Sequence, residues 1–205
     1  MSLLTVHPEG SFEPFERYTD PVEIAKRLEK IGVLFERWPL EKPLPKEAGQ
    51  EEVLKAYASE IERLKERFGF GSVDVVSVTP DHPKRKELRE QFLKEHTHAD
   101  FEVRFFVAGR GLFYLHPEEG HRKRPGHLRE PSPPRNSGHV YLVLCEAGDL
   151  ISVPAGTKHW FDMGERPDLK VIRFFTTREG WKAEFTGSDI ADRFPKLEEY
   201  LKLCR

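Results

Sequence analysis

Three residues near the middle of the chain have the side chains best suited to chemistry. His96, His98 and Glu102 share the same parity, and in an extended strand such side chains point to one side. If the chain stays extended from residue 96 onward, two imidazoles and a carboxylate therefore converge. These groups suit Fe(II), Ni(II), Mn(II) or Zn(II), whereas Mg and Ca prefer ligands that are all oxygen.

A fourth ligand has to come from elsewhere, and His159 is the leading candidate. It follows Pro154 and Gly156, which can turn the chain back toward the first three ligands. Three histidines and one glutamate on an octahedral ion leave two adjacent positions open, as a bidentate substrate requires. Glu102 alone could be a salt-bridge partner and His159 alone a core hydrogen-bonding group. The combined spacing is what predicts a metal site.

Two arginines are candidates for stabilising a bound anion. Arg104 lies two residues beyond Glu102 on the same side of the predicted strand, although an internal salt bridge is its alternative role. Arg173 has the same parity as Val171 and Phe175 in an apolar strand. Because an arginine that faces an apolar interior needs a partner, a bound anion would serve that purpose.

Short β-rich segments must position these side chains. They cover residues 73–78, 101–107, 112–116, 140–144, 150–153 and 170–175. Many short strands separated by turns predict a mainly β fold, a jelly-roll β-barrel. The stretch from Pro117 to Gly138 is rich in proline, glycine and basic residues, so we expect a mobile surface insertion there.

Amphipathic helices are predicted on both sides of the barrel sequence. Asp20 followed by Pro21 indicates a helix over about 21–31, and an apolar periodicity continues from Val53 to Phe68. Shorter helices are expected at 88–93 and 190–203. We therefore expect one domain over 1–205. Its parts are a helical N-terminal part over 1–72, a barrel over 73–185 with the insertion at 117–138, and a C-terminal helix within 186–205.

The composition argues against several classes of protein. The formal net charge is only -2, so no strong field would attract nucleic acid or an anionic membrane. Cys145 and Cys204 form no CxxC pair, which argues against a disulfide framework or a thiolate metal site. We find no leader sequence and no long apolar segment. These features predict a soluble cytoplasmic protein with a small neutral or anionic ligand.

Two segments resemble the two cupin motifs, HTHADFEVRFFVAG over 96–109 and GDLISVPAGTKHWFDM over 148–163. Together with QFLKEHTH and KVIRFF, they are similar to acireductone dioxygenase of methionine salvage, and the similarity covers roughly Val73 to Glu184. Phe101 departs from the family, which usually has an acidic residue there. The 117–138 loop also departs, because it replaces a tight turn. The resemblance implies a cupin-type jelly roll with flanking amphipathic helices.

The resemblance also implies an activity and a set of roles. The substrates would be 1,2-dihydroxy-3-keto-5-methylthiopentene and O2. Fe(II) would give a 2-keto acid and formate, whereas Ni(II) would give formate, carbon monoxide and methylthiopropionate. The implied residues are the metal ligands His96, His98, Glu102 and His159, the anion-stabilising Arg104 and Arg173, and the apolar Phe92 and Phe161 beside the methylthio tail.

Other functions remain open at this point. A cupin barrel could also belong to a sugar isomerase, to an oxalate-type decarboxylase, or to a ligand-binding protein without catalysis. The ligand set does not select between Fe(II) and Ni(II), because such sites accept several first-row ions. We expect a monomer with no nucleic-acid or membrane partner.

Overall fold

Twelve strands and five α-helices form in residues 1–40, 44–118, 138–176 and 182–203, which are the residues described by the computed structural model. The strands are β1 Leu3–Pro8, β2 Glu16–Tyr18, β3 Leu34–Arg37, β4 Ser72–Val78, β5 His96–Thr97, β6 Glu102–Ala108, β7 Arg110–His116, β8 His139–Glu146, β9 Asp149–Val153, β10 Lys158–Asp162, β11 Leu169–Phe175 and β12 Glu184–Phe185. The helices are α1 Pro21–Glu29, α2 Gln50–Ala56, α3 Ala58–Phe68, α4 Arg85–Phe92 and α5 Leu197–Leu203.

These strands build two antiparallel sheets. One has seven strands in the order β12-β5-β10-β7-β8-β1-β2, and the other has five in the order β3-β9-β6-β11-β4. Side chains from both sheets meet in one buried cluster, so the sheets face each other across a shared interior. This arrangement confirms the predicted mainly β, jelly-roll barrel.

Alternation along β6 shows how one strand serves two layers. Phe106 belongs to the cluster between the sheets, whereas Val103 and Phe105 belong to a second cluster on the outer face of the five-stranded sheet. Glu102 and Arg104 share the parity of Phe106 and therefore face the barrel interior. Because both faces are covered, the strand is apolar almost throughout, and the interior charges stand out.

Helices cover the outer faces of both sheets. Helices α2 and α3 pack on the five-stranded sheet through residues such as Val53 and Ile61. The C-terminal residues from Ile190 to Tyr200 pack on the seven-stranded sheet, where Trp160 stacks on Tyr114 with ring centroids 5.0 Å apart. Each such aromatic side chain contributes about 1.5–3 kcal/mol through burial, so these helices hold the strands that carry the site.

The N-terminal part differs from the expectation. It was predicted to be helical over 1–72, and this is wrong in part, because β1, β2 and β3 all lie within it. Strand β1 sits between β8 and β2, with Leu4 opposite Val143. The strand is recognisable only from this partner, which lies far away in sequence. Helix α1 does form where predicted, and Asp20 caps it by accepting from Val22 N at 2.9 Å.

Two predicted helices are interrupted. The pattern from Val53 to Phe68 forms two helices that break at Tyr57, and the C-terminal pattern forms a 3-10 turn, Ile190–Arg193, before α5. Pro195 lies between the latter two and cannot donate the backbone hydrogen bond that a continuous helix needs.

None of the helices in the described ranges is long and apolar enough to cross a membrane.

The predicted insertion at 117–138 lies almost entirely outside the described residues, since 119–137 are not among them. Its two ends are fixed by the hairpin of β7 and β8, in which Leu115 pairs with Tyr141. The expectation that this segment is a mobile surface insertion stays a prediction.

His7 generates a testable dependence of stability on pH. Its side chain is only 2% exposed, its Nε2 lies 2.8 Å from Thr5 Oγ1, and its ring meets Phe194 edge-on. Burial lowers the pKa of His7 from 6.5 to about 4. The unfolded chain therefore takes up a proton between these values while the folded chain does not, and stability falls as the pH drops through this window, by up to roughly 3 kcal/mol.

We expect His7→Gln to remove this contribution. Chemical denaturation of both proteins at pH 7.5 and at pH 4.5 measures it. The free energy of unfolding should fall less in the variant than in the wild type, because glutamine does not titrate. Parallel losses in the two proteins would show that His7 does not carry the pH dependence.

Candidate metal centre

Four side chains meet at one end of the barrel interior. One ligand atom from each of His96, His98, Glu102 and His159 lies within 4.8 Å of the others, and all four residues are buried. Among the described residues this is the group of metal-ligating side chains that the structure brings together. The structure thus assembles the set that the sequence spacing predicted.

Strands of both sheets contribute residues to this group. His96 on β5 pairs directly with His159 on β10 in the seven-stranded sheet. Glu102 begins β6 in the five-stranded sheet. Between them the chain bends at residues 99–100, so the expectation of one extended segment from 96 to 102 is wrong. The side chains still converge, because the chain crosses from one sheet to the other around the shared interior.

Backbone carbonyl groups orient all three imidazoles. The Nδ1 contacts are His96 to Lys94 O at 2.7 Å, His98 to Lys182 O at 3.0 Å and His159 to Thr157 O at 2.7 Å. A carbonyl oxygen can only accept, so each Nδ1 carries a proton. In the neutral ring this leaves the Nε2 lone pair free to bind a metal, a tautomer that such hydrogen bonds commonly fix.

The donor set itself fits a bound cation. Nε2 of His98 lies 2.9 Å from Glu102 Oε2, and Nε2 of His159 lies 3.2 Å from the same oxygen. With Nδ1 protonated on both rings, two lone pairs face a carboxylate oxygen. This arrangement is repulsive unless a proton or a metal ion lies among these atoms. A divalent ion satisfies all of them at once.

His96 and Glu102 are already in the protonation states that metal binding requires near neutral pH. Burial, followed by the charge of His159, lowers the pKa of His96 to about 4, so this imidazole stays neutral. Burial alone would raise the pKa of Glu102, but the charge of Arg104 beside it holds the pKa well below its usual value. Ligands must be neutral imidazole and ionised carboxylate to bind, and these two already are.

Arg104 is enclosed between a carboxylate and three aromatic rings. Its Nε lies 2.8 Å from Glu102 Oε1, the oxygen that does not face the histidines. Its guanidinium carbon lies 4.6 Å from the ring centre of Phe161, 5.3 Å from Phe113 and 5.7 Å from Phe92. Cation–π contacts of this kind gain strength when the pair is away from water. Arg104 therefore stabilises the buried carboxylate while the rings hold its own position.

Both predicted pocket aromatics, Phe92 and Phe161, lie beside Arg104. Phe92 from α4 meets Phe161 with ring centroids 6.4 Å apart. Phe161 is almost fully buried and lies against Gly111, where an added Cβ would stand 2.2 Å from the ring. Any larger residue at position 111 would displace this ring from Arg104, so the glycine is a steric requirement.

Arg173 lies next to Arg104 but already has a carboxylate partner. It stands opposite Arg104 on β6 and opposite Asp74 on β4. Its Nε and Nη2 donate to the two oxygens of Asp74 at 2.8 and 2.5 Å, and 29% of its side chain is exposed. The sequence placed Arg173 on the correct face, whereas Asp74 was not anticipated.

Other contributors to the site were also missed at the sequence level. The parity of Phe113 in β7 could have identified it as an interior residue. Phe185 lies with its ring centre 5.9 Å from that of His96 and is half exposed. The backbone carbonyls that orient the histidines leave no signal in the sequence, because any residue type supplies them.

Comparisons with known proteins agree over nearly the whole chain. The model of the ARD/ARD' family matches residues 6–123 and 135–183, so the unmatched residues 124–134 lie inside the predicted insertion. The chain is 56% identical to the acireductone dioxygenase of Methylococcus capsulatus over 202 residues, covering 98% of each protein. It is 55% identical to the acireductone dioxygenase of Aquifex aeolicus over 199 residues, covering 97% of this chain and 98% of that protein.

A solved structure supports the same relationship. The acireductone dioxygenase from Bacillus anthracis, described with a cadmium ion in its active centre, aligns with a TM-score of 0.72 at 30% identity. The alignment covers 90% of this chain and 98% of that one. The jelly-roll barrel, the buried three-histidine and one-glutamate group, and these matches lead to one conclusion. The chain belongs to the ARD/ARD' family, the acireductone dioxygenases.

Proposed function

We propose that this chain is a metal-dependent dioxygenase that cleaves the acireductone 1,2-dihydroxy-3-keto-5-methylthiopentene with O2 in methionine salvage. The products would be a 2-keto acid and formate. The observation that carries the proposal is the buried group of three imidazoles and one carboxylate, within 4.8 Å of one another, in a barrel of this family. The sugar isomerase, oxalate-type decarboxylase and non-catalytic alternatives are not favoured by the family comparisons.

His96, His98, Glu102 and His159 would hold one divalent ion, Fe(II) or Ni(II). When bound, that ion would act as a Lewis acid that favours the deprotonated form of an enediol. The chain's own contribution is to hold the four ligands in fixed orientations before the ion arrives. The Nδ1 hydrogen bonds to backbone carbonyls do this for each imidazole.

Arg104 would supply the fixed positive charge beside the substrate anion. Its guanidinium is only 7% exposed, so its field is poorly screened by water. It already contacts Glu102, and the aromatic rings around it keep it from turning away. A donor that is oriented in advance costs no reorganisation when negative charge develops on the substrate.

The apolar and outer parts of the site would recognise the rest of the substrate. Phe92 and Phe161 would contact the methylthio tail, since both rings lie beside Arg104, which contacts Glu102. Arg173 would act at longer range. Because Asp74 binds its guanidinium in bidentate fashion and offsets its charge, we propose that Arg173 contributes only weakly to anion stabilisation, from its position opposite Arg104.

The ligand assignment predicts the loss of metal in three variants. His96→Ala, His98→Ala and His159→Ala should each weaken metal binding by more than about 100-fold and abolish turnover, because three ligands leave a labile site. Elemental analysis after dialysis and competition with a chelator measure the effect. His82→Ala, outside the barrel, is the matched control and should keep its metal. Full metal content in two of the three variants would refute the ligand set.

The role of Arg104 predicts a different phenotype. Arg104→Ala should bind metal but turn over about 100- to 1000-fold more slowly, because a positioned charge is lost. Steady-state oxygen consumption with metal content measured on the same sample separates the two effects. Arg110→Ala removes a half-exposed arginine in β7 and should leave both unchanged. Activity near that of wild type in Arg104→Ala would make this arginine structural.

The metal assignment predicts that the ion selects the products. The same polypeptide loaded with Fe(II) should yield the 2-keto acid and formate, whereas Ni(II) should yield formate, carbon monoxide and methylthiopropionate. Gas analysis and chromatography of both reactions, with metal-free protein as the control, measure this. Identical products would exclude control by the metal while leaving the dioxygenase assignment standing.

A further inference from the structure

Glu95 makes hydrogen bonds with two residues that are not candidate metal ligands, His116 and Thr186. It directly precedes His96 and is 2% exposed. Its Oε1 lies 2.6 Å from His116 Nδ1, and its Oε2 accepts from Thr186 Oγ1 at 2.6 Å. Its backbone oxygen accepts from Thr186 N at 3.1 Å. Both carboxylate oxygens are therefore occupied by partners outside the metal centre.

These partners lie on opposite sides of the ligand strand. His116 ends β7, and β10 lies between β7 and β5, so the Glu95–His116 contact spans a whole strand. The far nitrogen of His116 lies 2.6 Å from Glu9 Oε1, which ties the pair to the N-terminal segment. Thr186 approaches from the other edge, where β12 pairs with β5. Glu95 is thus held from both directions.

Strand β5, which carries His96, and its neighbour β12 are too short to be stable by themselves. Strands β5 and β12 have two residues each, and β5 has one register pair with β10. Such short ladders contribute little by themselves. The segment 182–186, however, contacts both ligands: Lys182 O accepts from His98, and Phe185 pairs with His96. Thr186 is the residue that fastens this segment to Glu95.

We infer that Glu95 is a positioning residue for the metal centre, which acts by fixing His96 directly and His98 through Thr186 and the segment 182–186. The inference rests on the proposed function, since it takes both histidines as metal ligands. Loss of a residue that holds metal ligands in place without being one typically changes metal affinity by about 10- to 100-fold. Neither Glu95 nor Thr186 belongs to the group of four candidate ligands.

The test uses Co(II) bound to the full-length protein. Glu95→Gln and Thr186→Val should each weaken Co(II) binding by about 10- to 100-fold in chelator competition and change the visible Co(II) absorption spectrum. Thr186→Ser keeps the hydroxyl and should restore both. Thr5→Val is the matched control, because it removes a buried threonine contact, to Tyr200, away from the site. It should lower the melting temperature but leave affinity and spectrum unchanged.

The outcomes distinguish failure of the positioning role of Glu95 from failure of the proposed ligand set. Wild-type Co(II) affinity and spectrum in Thr186→Val would overturn the positioning role, and so would failure of Thr186→Ser to restore them. This holds even if Glu95→Gln does not fold. Wild-type affinity in His96→Ala would overturn the ligand set, and with it the proposed function on which the inference depends.

Discussion

The burial of the Glu102 carboxylate is the constraint on which the rest of the site depends. A negative charge inside an apolar barrel is tolerated only with close positive partners or with a metal ion. Arg104 contacts one of its oxygens, and the imidazoles of His98 and His159 face the other. The two oxygens therefore differ in role. Oε1 contacts Arg104, whereas Oε2 faces the histidines and would bind the ion.

The interior of the barrel combines buried charged groups with aromatic residues packed around Arg104. The candidate metal ligands are buried, and the aromatic rings of Phe92, Phe113 and Phe161, which belong to the apolar interior, surround the guanidinium of Arg104. Aromatic rings lower the local dielectric constant, and this strengthens the electrostatic interactions of the charged groups beside them. The same rings that stabilise the fold therefore also set the electrostatics in which an anionic substrate would bind.

The site also depends on parts of the chain that carry no chemistry. The three imidazoles are oriented by backbone carbonyls, and one of these belongs to Lys182, near the C-terminus. Outer helices cover both sheets, so the strands that carry the ligands are packed on both faces. The three imidazoles and one carboxylate of this ARD/ARD' family member suit several first-row divalent ions.

The amino-acid sequence by itself was enough to identify the four candidate metal ligands, the interior face of β6 and the mainly β class. The ligands follow from residue types at motif spacing, and the face of β6 and the β class follow from a period of two, which are local properties. Only the tertiary structure decided the place of β1 within the seven-stranded sheet, the crossing of the chain between His98 and Glu102, and the pairing of Arg173 with Asp74. These features depend on partners distant in sequence, and local propensity does not encode which distant residue a strand or side chain will meet.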